Sequence, residues 1–325
     1  MRMTSLVEHI SEDLCLDENY VASIIRRSSR YYREYTIPKK DGSCRKIAQA
    51  SPELKTLQYW IVRNILEKFP VSQSAFAYKR GDSIKRHAEF HKAAKYIFHT
   101  DVKKFFPNIT SELLSIYLIR QEQLLTDLGV WYKDTCEVIS RICFRYNHLC
   151  IGTVSSPVIS NIIMYDFDEK LHSYCDIHNY MYSRYADDIY ISSSNYIPES
   201  IKGVVGSFLS EIGLVINEDK TWFKSKKSQR RITGLIITDA GNVSIGREKR
   251  AYIKKMIYNR IINGNGDAET VLGYLAFLKD VEPGTYNKLL IKYTPYCDGD
   301  VIEAIKTGPK HKSYPSVSIE LPDFD

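Results

Sequence analysis

The spacing of apolar residues alternates between helical and strand-like periods over most of the chain. Apolar residues recur every three or four positions over 53–69, as in a helix with one buried face. The same criterion predicts helices at 18–35, 110–126, 132–146 and 200–212, and one beginning at Pro157. Strands are predicted at 95–99, 214–217, 221–224, 231–237 and 243–245, with two more within 181–192. After Gly246 the spacing is helical throughout, so the pattern predicts an α+β fold with a helical C-terminal part.

One predicted hairpin carries two adjacent carboxylates at its tip. The sequence Tyr185-Ala186-Asp187-Asp188 is flanked on both sides by alternating residues, which places the Asp-Asp pair at the turn. Neighbouring carboxylates repel each other, so ionising both is costly unless a cation holds them. This arrangement predicts a site for a divalent metal.

A second acidic element lies upstream, where Asp101 follows the predicted strand 95–99 and Pro107 ends the segment. Brought beside Asp187, it would complete an acidic cluster for two magnesium ions. Mg²⁺ prefers oxygen ligands and keeps positions open for substrate phosphates, and two such ions can clamp an in-line phosphoryl displacement. On its own, Asp101 has a simpler interpretation as a turn residue that ends a strand.

Positive charge is concentrated in two segments, although the net charge of the 325 residues is only +6. The segments contain Lys224, Lys226, Lys227, Arg230 and Arg231, and Arg247, Lys249, Arg250, Lys254 and Lys255. Such runs are often solvated faces, but near an acidic phosphoryl-transfer site they favour contact with nucleic-acid phosphates. The 24 tyrosines offer stacking surfaces for unpaired bases. The length of the chain is typical of a protein with two or three subdomains.

The seven cysteines include no Cys-x-x-Cys pair, and no signal peptide or long apolar run is present in the sequence. We therefore expect a reducing, cytoplasmic location and no membrane association. Cys136, Cys143 and Cys150 recur every seven residues near His148. This spacing is compatible with a metal site, but a buried helix face is the favoured interpretation.

Six groups of residues stand in the order found in a known family. They are Lys39–Ile47 with Ser51–Lys55 and Gln58–Trp60, Asp101–Pro107, Gly152–Pro157 followed by Asn161, Tyr185–Asp188, Gly213–Asn217 with Lys220 and Thr221, and Ser228–Leu235 leading to Gly246–Lys249. In this order the chain resembles the reverse transcriptases, and among them the bacterial retron type.

Two positions depart from the family pattern. Ile151 stands where the family commonly has a Gln that touches the incoming nucleotide, which puts that contact in doubt. His87 stands where retron enzymes often have Asn, in an element whose Ala88 and His91 match. All three acidic positions are intact, so we interpret the chain as a divergent, active member.

The resemblance implies a right-hand polymerase with fingers, a palm made of an antiparallel sheet with helices on one face, and a small helical thumb. It assigns 1–94 to the fingers, 95–109 to the first metal strand of the palm, 110–150 to helices of fingers and palm, 151–240 to the palm, and 241–325 to the thumb and tail. The tail from Thr307 onward is expected to be loose.

The resemblance also implies residue roles at the metal site. Asp101 and Asp187 would bridge two Mg²⁺ ions, with Asp188 as a weaker or alternating ligand and the Val102 carbonyl as another. Lys220 would protonate or neutralise the leaving pyrophosphate, although it is equally compatible with an ordinary surface lysine.

Further roles follow for nucleotide and RNA binding. Lys39 and Arg45 would bind the triphosphate of the incoming dNTP, or else form an exposed hairpin charge pair. Phe106 would exclude a ribose 2′-hydroxyl, and Gly152 belongs to the template and nucleotide loop. RNA contacts are expected from His91, Arg230, Arg231, Thr233, Arg250 and Lys254.

By resemblance, the protein copies part of a structured non-coding RNA into single-stranded DNA. Synthesis would start from an RNA 2′-hydroxyl and give a branched RNA–DNA hybrid, with a role in antiphage defence beside an effector protein encoded nearby. Two alternatives stay open: another bacterial reverse transcriptase, of the diversity-generating or intron-like type, or a non-catalytic RNA-binding scaffold.

Overall fold

A computed structural model describes residues 4–39, 42–297 and 299–308. These residues form two compact units. The first comprises the described residues up to Asp82 together with Tyr96–Phe223, and the second comprises Ser83–Lys95 together with the described residues from Lys224 onward. The division cuts across the expected subdomain boundaries at 83–95, and those boundaries stay a prediction.

Helices and strands follow one another along the described residues. The helices are α1 (Leu6–Leu14), α2 (Glu18–Arg26), α3 (Pro52–Asn64), α4 (Ile84–Phe90), α5 (Phe105–Asn108), α6 (Ser111–Arg120), α7 (Glu122–Asp127), α8 (Thr135–Cys143), α9 (Ser155–Ile163), α10 (Tyr165–Ile177), α11 (Ile201–Ser210), α12 (Arg247–Ile262), α13 (Ala268–Val281), α14 (Pro283–Tyr293) and α15 (Val301–Thr307). The strands are β1 (Tyr32–Pro38), β2 (Cys44–Ala50), β3 (Tyr96–Val102), β4 (Met181–Tyr185), β5 (Asp188–Ser193), β6 (Ile216–Ser225), β7 (Arg230–Ile232), β8 (Leu235–Ile237) and β9 (Val243–Ser244).

A four-stranded sheet in the order β4-β5-β3-β6 is the centre of the first unit. The pairs β3–β5 and β4–β5 are antiparallel, and β1 and β2 form a separate antiparallel hairpin. The predicted α+β class, with an antiparallel sheet, is thereby confirmed.

Helices α9 and α10 bury their apolar residues in the same core as the central sheet. Ile159, Ile162 and Phe167 are fully or almost fully buried with Phe98 of β3 and Ile191 of β5. Each such side chain contributes roughly 1.5–3 kcal/mol of transfer free energy. The helix-period spacing that begins at 157 in the sequence therefore has a packing role, because it supports the sheet from which the acidic residues project.

The second unit combines α4 with a three-stranded sheet in the order β7-β8-β9 and with the helices from α12 onward. The Arg230 guanidinium donates to the main-chain carbonyls of Ala94 and Thr238, and His87 is hydrogen-bonded to Thr233 through Nδ1 and Oγ1 at 2.7 Å. Within this unit, polar side chains thus connect residues 87–94 to the small sheet.

Several predicted element boundaries were wrong. The helix expected over 18–35 ends at Arg26, because the tyrosine-rich residues from Tyr32 onward pair as β1 with β2. The two strands expected at 214–217 and 221–224 are one strand, β6, whose polar centre is exposed and does not turn. The helix expected from Pro157 begins at Ser155, since proline is tolerated in a first helical turn. The helix expected over 110–126 is divided into α6 and α7 at Gln121.

The tail residues from 309 onward lie outside the described residues, as do 1–3, 40–41 and 298. Among the helices that are described, none has both the length and the apolar character needed to cross a membrane.

Candidate active site

The three predicted carboxylates meet at one end of the central sheet. Asp101 on β3 pairs in register with Asp188 on β5, and the backbone N–H of Val102 donates to the carbonyl of Asp187 at 3.0 Å. Asp101 is 5% exposed, and Asp187 and Asp188 are half-buried. The structure therefore brings together residues that are 86 positions apart in the sequence (Asp101 and Asp187).

The turn that carries Asp187 has an unusual backbone. Ala186 adopts a φ of 58°, in the left-handed region that residues with a Cβ rarely occupy. Such a conformation persists only where its surroundings hold it, and here a buried arginine does so. The guanidinium of Arg184 donates through Nη1 to the carbonyl of Ala186 at 2.9 Å.

Arg184 is itself held by a buried acidic partner. Its Nε and Nη2 donate to Asp168 Oδ1 and Oδ2 at 2.8 and 2.6 Å, and both side chains are 0% exposed. Nη2 also lies 3.2 Å from the Asn161 side-chain oxygen, and the Tyr182 hydroxyl donates to Asp168 at 2.6 Å. We call these four residues, Arg184, Asp168, Asn161 and Tyr182, the buried hub.

Repulsion between the carboxylates is visible in the pKa of Asp187. Burial, followed by the charges of Asp188 and Asp101, raises this pKa from 3.8 to about 6. A divalent cation at this position would remove that cost, because it favours the ionised form. The electrostatics thus favour a bound cation.

Asp101 has polar partners on both of its oxygens. Lys220 Nζ donates to Oδ2 at 2.9 Å, and Asn217 Nδ2 donates to Oδ1 at 2.9 Å. Burial lowers the pKa of Lys220, but the hydrogen bond and the charge of Asp101, with those of Asp187 and Asp188, raise it overall. Lys220 therefore lies at the carboxylate cluster as a firmly charged ammonium, partly neutralising it.

His99 is a member of the site that the sequence analysis missed. Its Nε2 lies 2.8 Å from Asp188 Oδ1, and its Nδ1 lies 3.1 Å from the Lys220 carbonyl, while the ring stacks on Trp222. Since a carbonyl only accepts, Nδ1 must carry a hydrogen. The contact of Nε2 with Asp188 orients that carboxylate.

The donors around this cluster are carboxylate and carbonyl oxygens, the ligands that Mg²⁺ prefers. Within the residues that the structure describes, no group of three or more His, Cys, Asp and Glu side chains is arranged to hold a metal ion. The chemistry of the donors and the raised pKa of Asp187 together fit a divalent cation.

The predicted nucleotide-binding residues lie in the first unit. Lys39 and Arg45 are exposed on the β1–β2 hairpin, where Lys39 N donates to the Ser43 carbonyl at 2.7 Å. Gly152 has a φ of 103°, and a Cβ there would lie 2.8 Å from Ile47 Cγ2, so the loop requires glycine. Neighbouring Ile151 accepts a main-chain bond from Ala48 at 2.9 Å, which joins this loop to β2.

Two predicted RNA contacts are corrected by burial. His91 is fully buried, which lowers its pKa to about 3 and keeps the ring neutral. Arg230 is 1% exposed and its guanidinium donates to main-chain carbonyls. Neither side chain presents a charge at the surface, so their burial argues against these two predicted RNA contacts.

The other predicted RNA contacts differ in their exposure. Arg231 and Lys254 are exposed. Thr233 is half-buried and bonded to His87. Arg250 is half-buried, donates through Nη2 to Ser244 Oγ at 2.9 Å, and has Nε 3.5 Å from Glu282 Oε2. Of this set, Arg231 and Lys254 are the side chains best placed to meet a phosphate backbone.

The fold and site described above belong to a nucleotidyl-transferring polymerase palm, and comparison with known proteins narrows this class. The sequence profile described as "Reverse transcriptase (RNA-dependent DNA polymerase)" matches residues 37–237. The chain therefore belongs to the reverse transcriptase family, whose polymerases use divalent metal ions.

Named relatives narrow the assignment further. The chain is 34% identical to the Retron Ec86 reverse transcriptase of Escherichia coli, over 80% of this chain and 79% of that protein. It is 31% identical to the Retron Ec83 reverse transcriptase of Escherichia coli, over 82% of this chain and 88% of that protein. The predicted retron-type reverse transcriptase, an RNA-directed DNA polymerase, is thereby confirmed.

Solved structures show a weaker likeness. The telomerase of Candida albicans, in complex with a TWJ fragment of telomeric RNA, has a TM-score of 0.48 and 13% identity. The match covers 91% of this chain and 59% of that chain.

The raised pKa of Asp187 predicts a pH-dependent stability. Because the folded state binds this proton more tightly than the unfolded state, the stabilisation is present below the unfolded value near 3.8 and is lost as pH rises through about 6. Asp187→Asn cannot ionise, so its free energy of unfolding minus that of the parent should grow between about pH 4 and about pH 7. Urea unfolding in EDTA measures this difference.

The control for this experiment is Asp176→Asn, the same chemical change at an exposed carboxylate on α10. Added Mg²⁺ should stabilise the parent above about pH 6 and thereby narrow its gap to Asp187→Asn. A gap that is independent of pH would contradict the raised pKa.

The buried hub predicts that Arg184→Lys and Tyr182→Phe separate stability from metal binding. Both remove hydrogen bonds to Asp168, so both should lower the free energy of unfolding, by about 1 kcal/mol for Tyr182→Phe and by more for Arg184→Lys. Only Arg184→Lys also loses the contact to the Ala186 carbonyl, so only it should weaken metal binding. Calorimetric titration at a temperature where both variants are folded compares their affinities for Mn²⁺. Equal affinities in the two variants would contradict a positioning role for Arg184.

Proposed function

We propose that this protein is a retron reverse transcriptase that copies part of a structured non-coding RNA into single-stranded DNA, starting from an RNA 2′-hydroxyl. The observation that carries the proposal is the convergence of Asp101, Asp187 and Asp188 at one end of an antiparallel sheet. The relatives whose names identify them as retron reverse transcriptases support the RNA-templated substrate class.

Two Mg²⁺ ions are proposed at the carboxylate cluster, held by the side chains of Asp101, Asp187 and Asp188 and by the Val102 carbonyl. When bound, they would activate the priming hydroxyl and stabilise charge on the transferring phosphoryl group. Asp187 must give up its proton for this, so the cluster is competent above the raised pKa of that residue. His99 would keep the Asp188 carboxylate oriented during the exchange of ligands.

Lys220 is proposed to neutralise the leaving pyrophosphate. Its ammonium contacts Asp101 and its side chain is 60% exposed, so it can turn from the carboxylate towards a phosphate without crossing the core. Because its pKa is raised, Lys220 is proposed to act mainly through its positive charge and less as a proton donor. Lys39 and Arg45 are proposed to bind the triphosphate from the β1–β2 hairpin, and Phe106 and Gly152 to shape the nucleotide site.

The product of self-priming would be a branched RNA–DNA hybrid. A structured RNA, its DNA copy and dNTPs are the proposed partners, and the exposed Arg231 and Lys254 of the second unit are the proposed contacts to the folded RNA. A role in defence against phage, with an effector protein encoded nearby, follows from the family resemblance. A diversity-generating or intron-like reverse transcriptase would have the same carboxylates. It would differ from the proposed retron enzyme in the RNA that it copies.

The catalytic assignment predicts that Asp187→Asn and Asp188→Asn each abolish DNA synthesis and leave the fold and RNA binding nearly unchanged. Removing one ligand disrupts the metal clamp, while neutralising a repelled carboxylate does not harm packing. Extension of a primed RNA template, with RNA binding and circular dichroism measured in parallel, tests this. Asp176→Asn is the matched control and should extend normally. An Asp187→Asn protein that extends primers at the parental rate would reject the assignment of Asp187 to the catalytic site, whereas a parent protein that extends no primer under any metal condition would favour an RNA-binding scaffold.

The proposed RNA contacts predict a substrate-dependent effect of charge reversal in the second unit. The double variant Arg231→Glu and Lys254→Glu should weaken binding of the cognate RNA and reduce the salt dependence of that binding, because fewer counterions are released. Arg250 is left intact, since its bonds to Ser244 and Glu282 make it part of the fold. Self-primed synthesis on the cognate RNA should fall more than extension of a generic primed template.

Lys288→Glu is the control, because it makes the same change at an exposed lysine on α14. Filter binding across a salt series gives the slope, and gel analysis of products gives both activities. Equal loss on the two templates would mean that these residues hold any duplex, and the retron-specific part of the proposal would then fail.

A further inference from the structure

Tyr78 follows a segment that is fixed beside the acidic turn. The main chain of this segment bonds to Arg184 of β4: Phe76 N donates to the Arg184 carbonyl at 2.8 Å, and Arg184 N donates to the Ser74 carbonyl at 2.7 Å. The amide of Asn161, which belongs to the buried hub, donates to the Ala77 carbonyl at 3.0 Å. The position of Tyr78 is thus set by the same residues that hold the Asp187 turn.

Tyr78 leaves this segment in a strained conformation and with an exposed ring. Its φ is 62°, in the left-handed region that disfavours residues with a Cβ, and it is 48% exposed. A large aromatic side chain that is held exposed by a strained backbone is a candidate for ligand contact. The hydrogen bonds of Phe76 and Ala77 supply the restraint that such a backbone needs.

The ring of Tyr78 lies against the residue expected to select the sugar. The centroids of Tyr78 and Phe106 are 6.5 Å apart with an interplanar angle of 52°, within the range of favourable aromatic pairs. Phe106 also contacts Phe105, with centroids 5.4 Å apart, and Phe105 is buried. Phe106 therefore contacts both a core residue and the exposed ring of Tyr78.

The electrostatic surroundings of Tyr78 place it among the proposed substrate-binding groups. Burial, then the charges of Asp187 and Tyr185, raise its pKa, while the charges of Arg184 and Arg45 lower it. The phenol is thus within electrostatic reach of a proposed metal ligand and of a proposed triphosphate ligand. These two groups would flank a nucleoside triphosphate.

We propose that Tyr78 is a specificity-determining residue of the nucleotide site, where its ring keeps Phe106 in place against the sugar of the incoming nucleoside triphosphate. The proposal rests on the proposed function. A ring that excludes a 2′-hydroxyl does so only if it cannot move aside, because discrimination depends on the cost of the clash. Tyr78 supplies that resistance through the contact of its ring with Phe106.

The mechanism predicts that removing the Tyr78 ring relaxes sugar selection through Phe106. Tyr78→Ala should raise the ratio of ribonucleotide to deoxyribonucleotide incorporation (compared as kcat/KM) on the order of tenfold, as should Phe106→Val. Tyr78→Phe retains the ring and should keep the parental ratio within about twofold. The double variant Tyr78→Ala with Phe106→Val should be no less selective than Phe106→Val alone, because both changes act on one contact.

Single-nucleotide incorporation on a primed RNA template, with matched dNTP and rNTP, measures these ratios. Tyr196→Ala is the control: Tyr196 is 66% exposed and contacts Tyr96, whose strand partner Ser193 lies at the opposite end of β5 from Asp188. It should show the parental ratio. Tyr78→Asn repeats the test with a residue that tolerates a left-handed backbone, in case Tyr78→Ala folds poorly.

The outcomes separate this inference from the proposed function. If the parent incorporates dNTPs selectively and Tyr78→Ala or Tyr78→Asn has the parental ratio, the inference is overturned and the polymerase site stands. Effects of Tyr78→Ala and Phe106→Val that multiply independently, or an unchanged ratio in Phe106→Val, also overturn it. If the parent incorporates no nucleotide on a primed RNA template, the proposed function itself fails.

Discussion

The buried ion pair between Arg184 and Asp168 is the interaction on which the geometry of the site depends. Both side chains are fully buried, so each charge is tolerated only because the other is present with additional hydrogen bonds. The guanidinium has enough donors to hold Asp168, Asn161 and the Ala186 carbonyl at the same time, which an ammonium could not do in this planar arrangement. The guanidinium of this pair holds the left-handed turn at Ala186, and the main chain of the same arginine is bonded to the segment before Tyr78.

A second constraint is the repulsion among the three carboxylates, which the protein offsets with its own groups. Lys220 and Asn217 donate to the oxygens of Asp101, and His99 contacts Asp188, whereas the pKa of Asp187 is raised by burial and then by the charges of Asp188 and Asp101. The cluster is thus partly neutralised without a cation, while its most perturbed member lies in the turn. Binding of a cation at the proposed metal site would therefore be coupled to proton release at Asp187.

The sequence predicted the features that depend on local pattern and on chemistry. Alternation around Asp187 and Asp188 located the hairpin, and the strand before Asp101 located the second carboxylate, so the acidic cluster was predictable. The buried hub was not, because a lone Arg184 in a strand and a lone Asp168 in a helix carry no pattern that marks them as a pair. The break predicted inside β6 came from polar residues that are exposed on a continuous strand.

The charge composition of a segment also suggests too large a binding surface where one of its cationic side chains is buried. Arg230 stands in a basic segment that suggests a phosphate-binding surface, yet its buried guanidinium donates to the main-chain carbonyls of Ala94 and Thr238, and His91 is kept neutral by burial. Arg231, the next residue along β7, is exposed because successive residues of a strand face opposite sides. The basic segment is therefore divided by strand periodicity into a structural cation and an exposed one. The exposed positive charge of this segment is consequently smaller, by the charge of Arg230, than the sequence indicates.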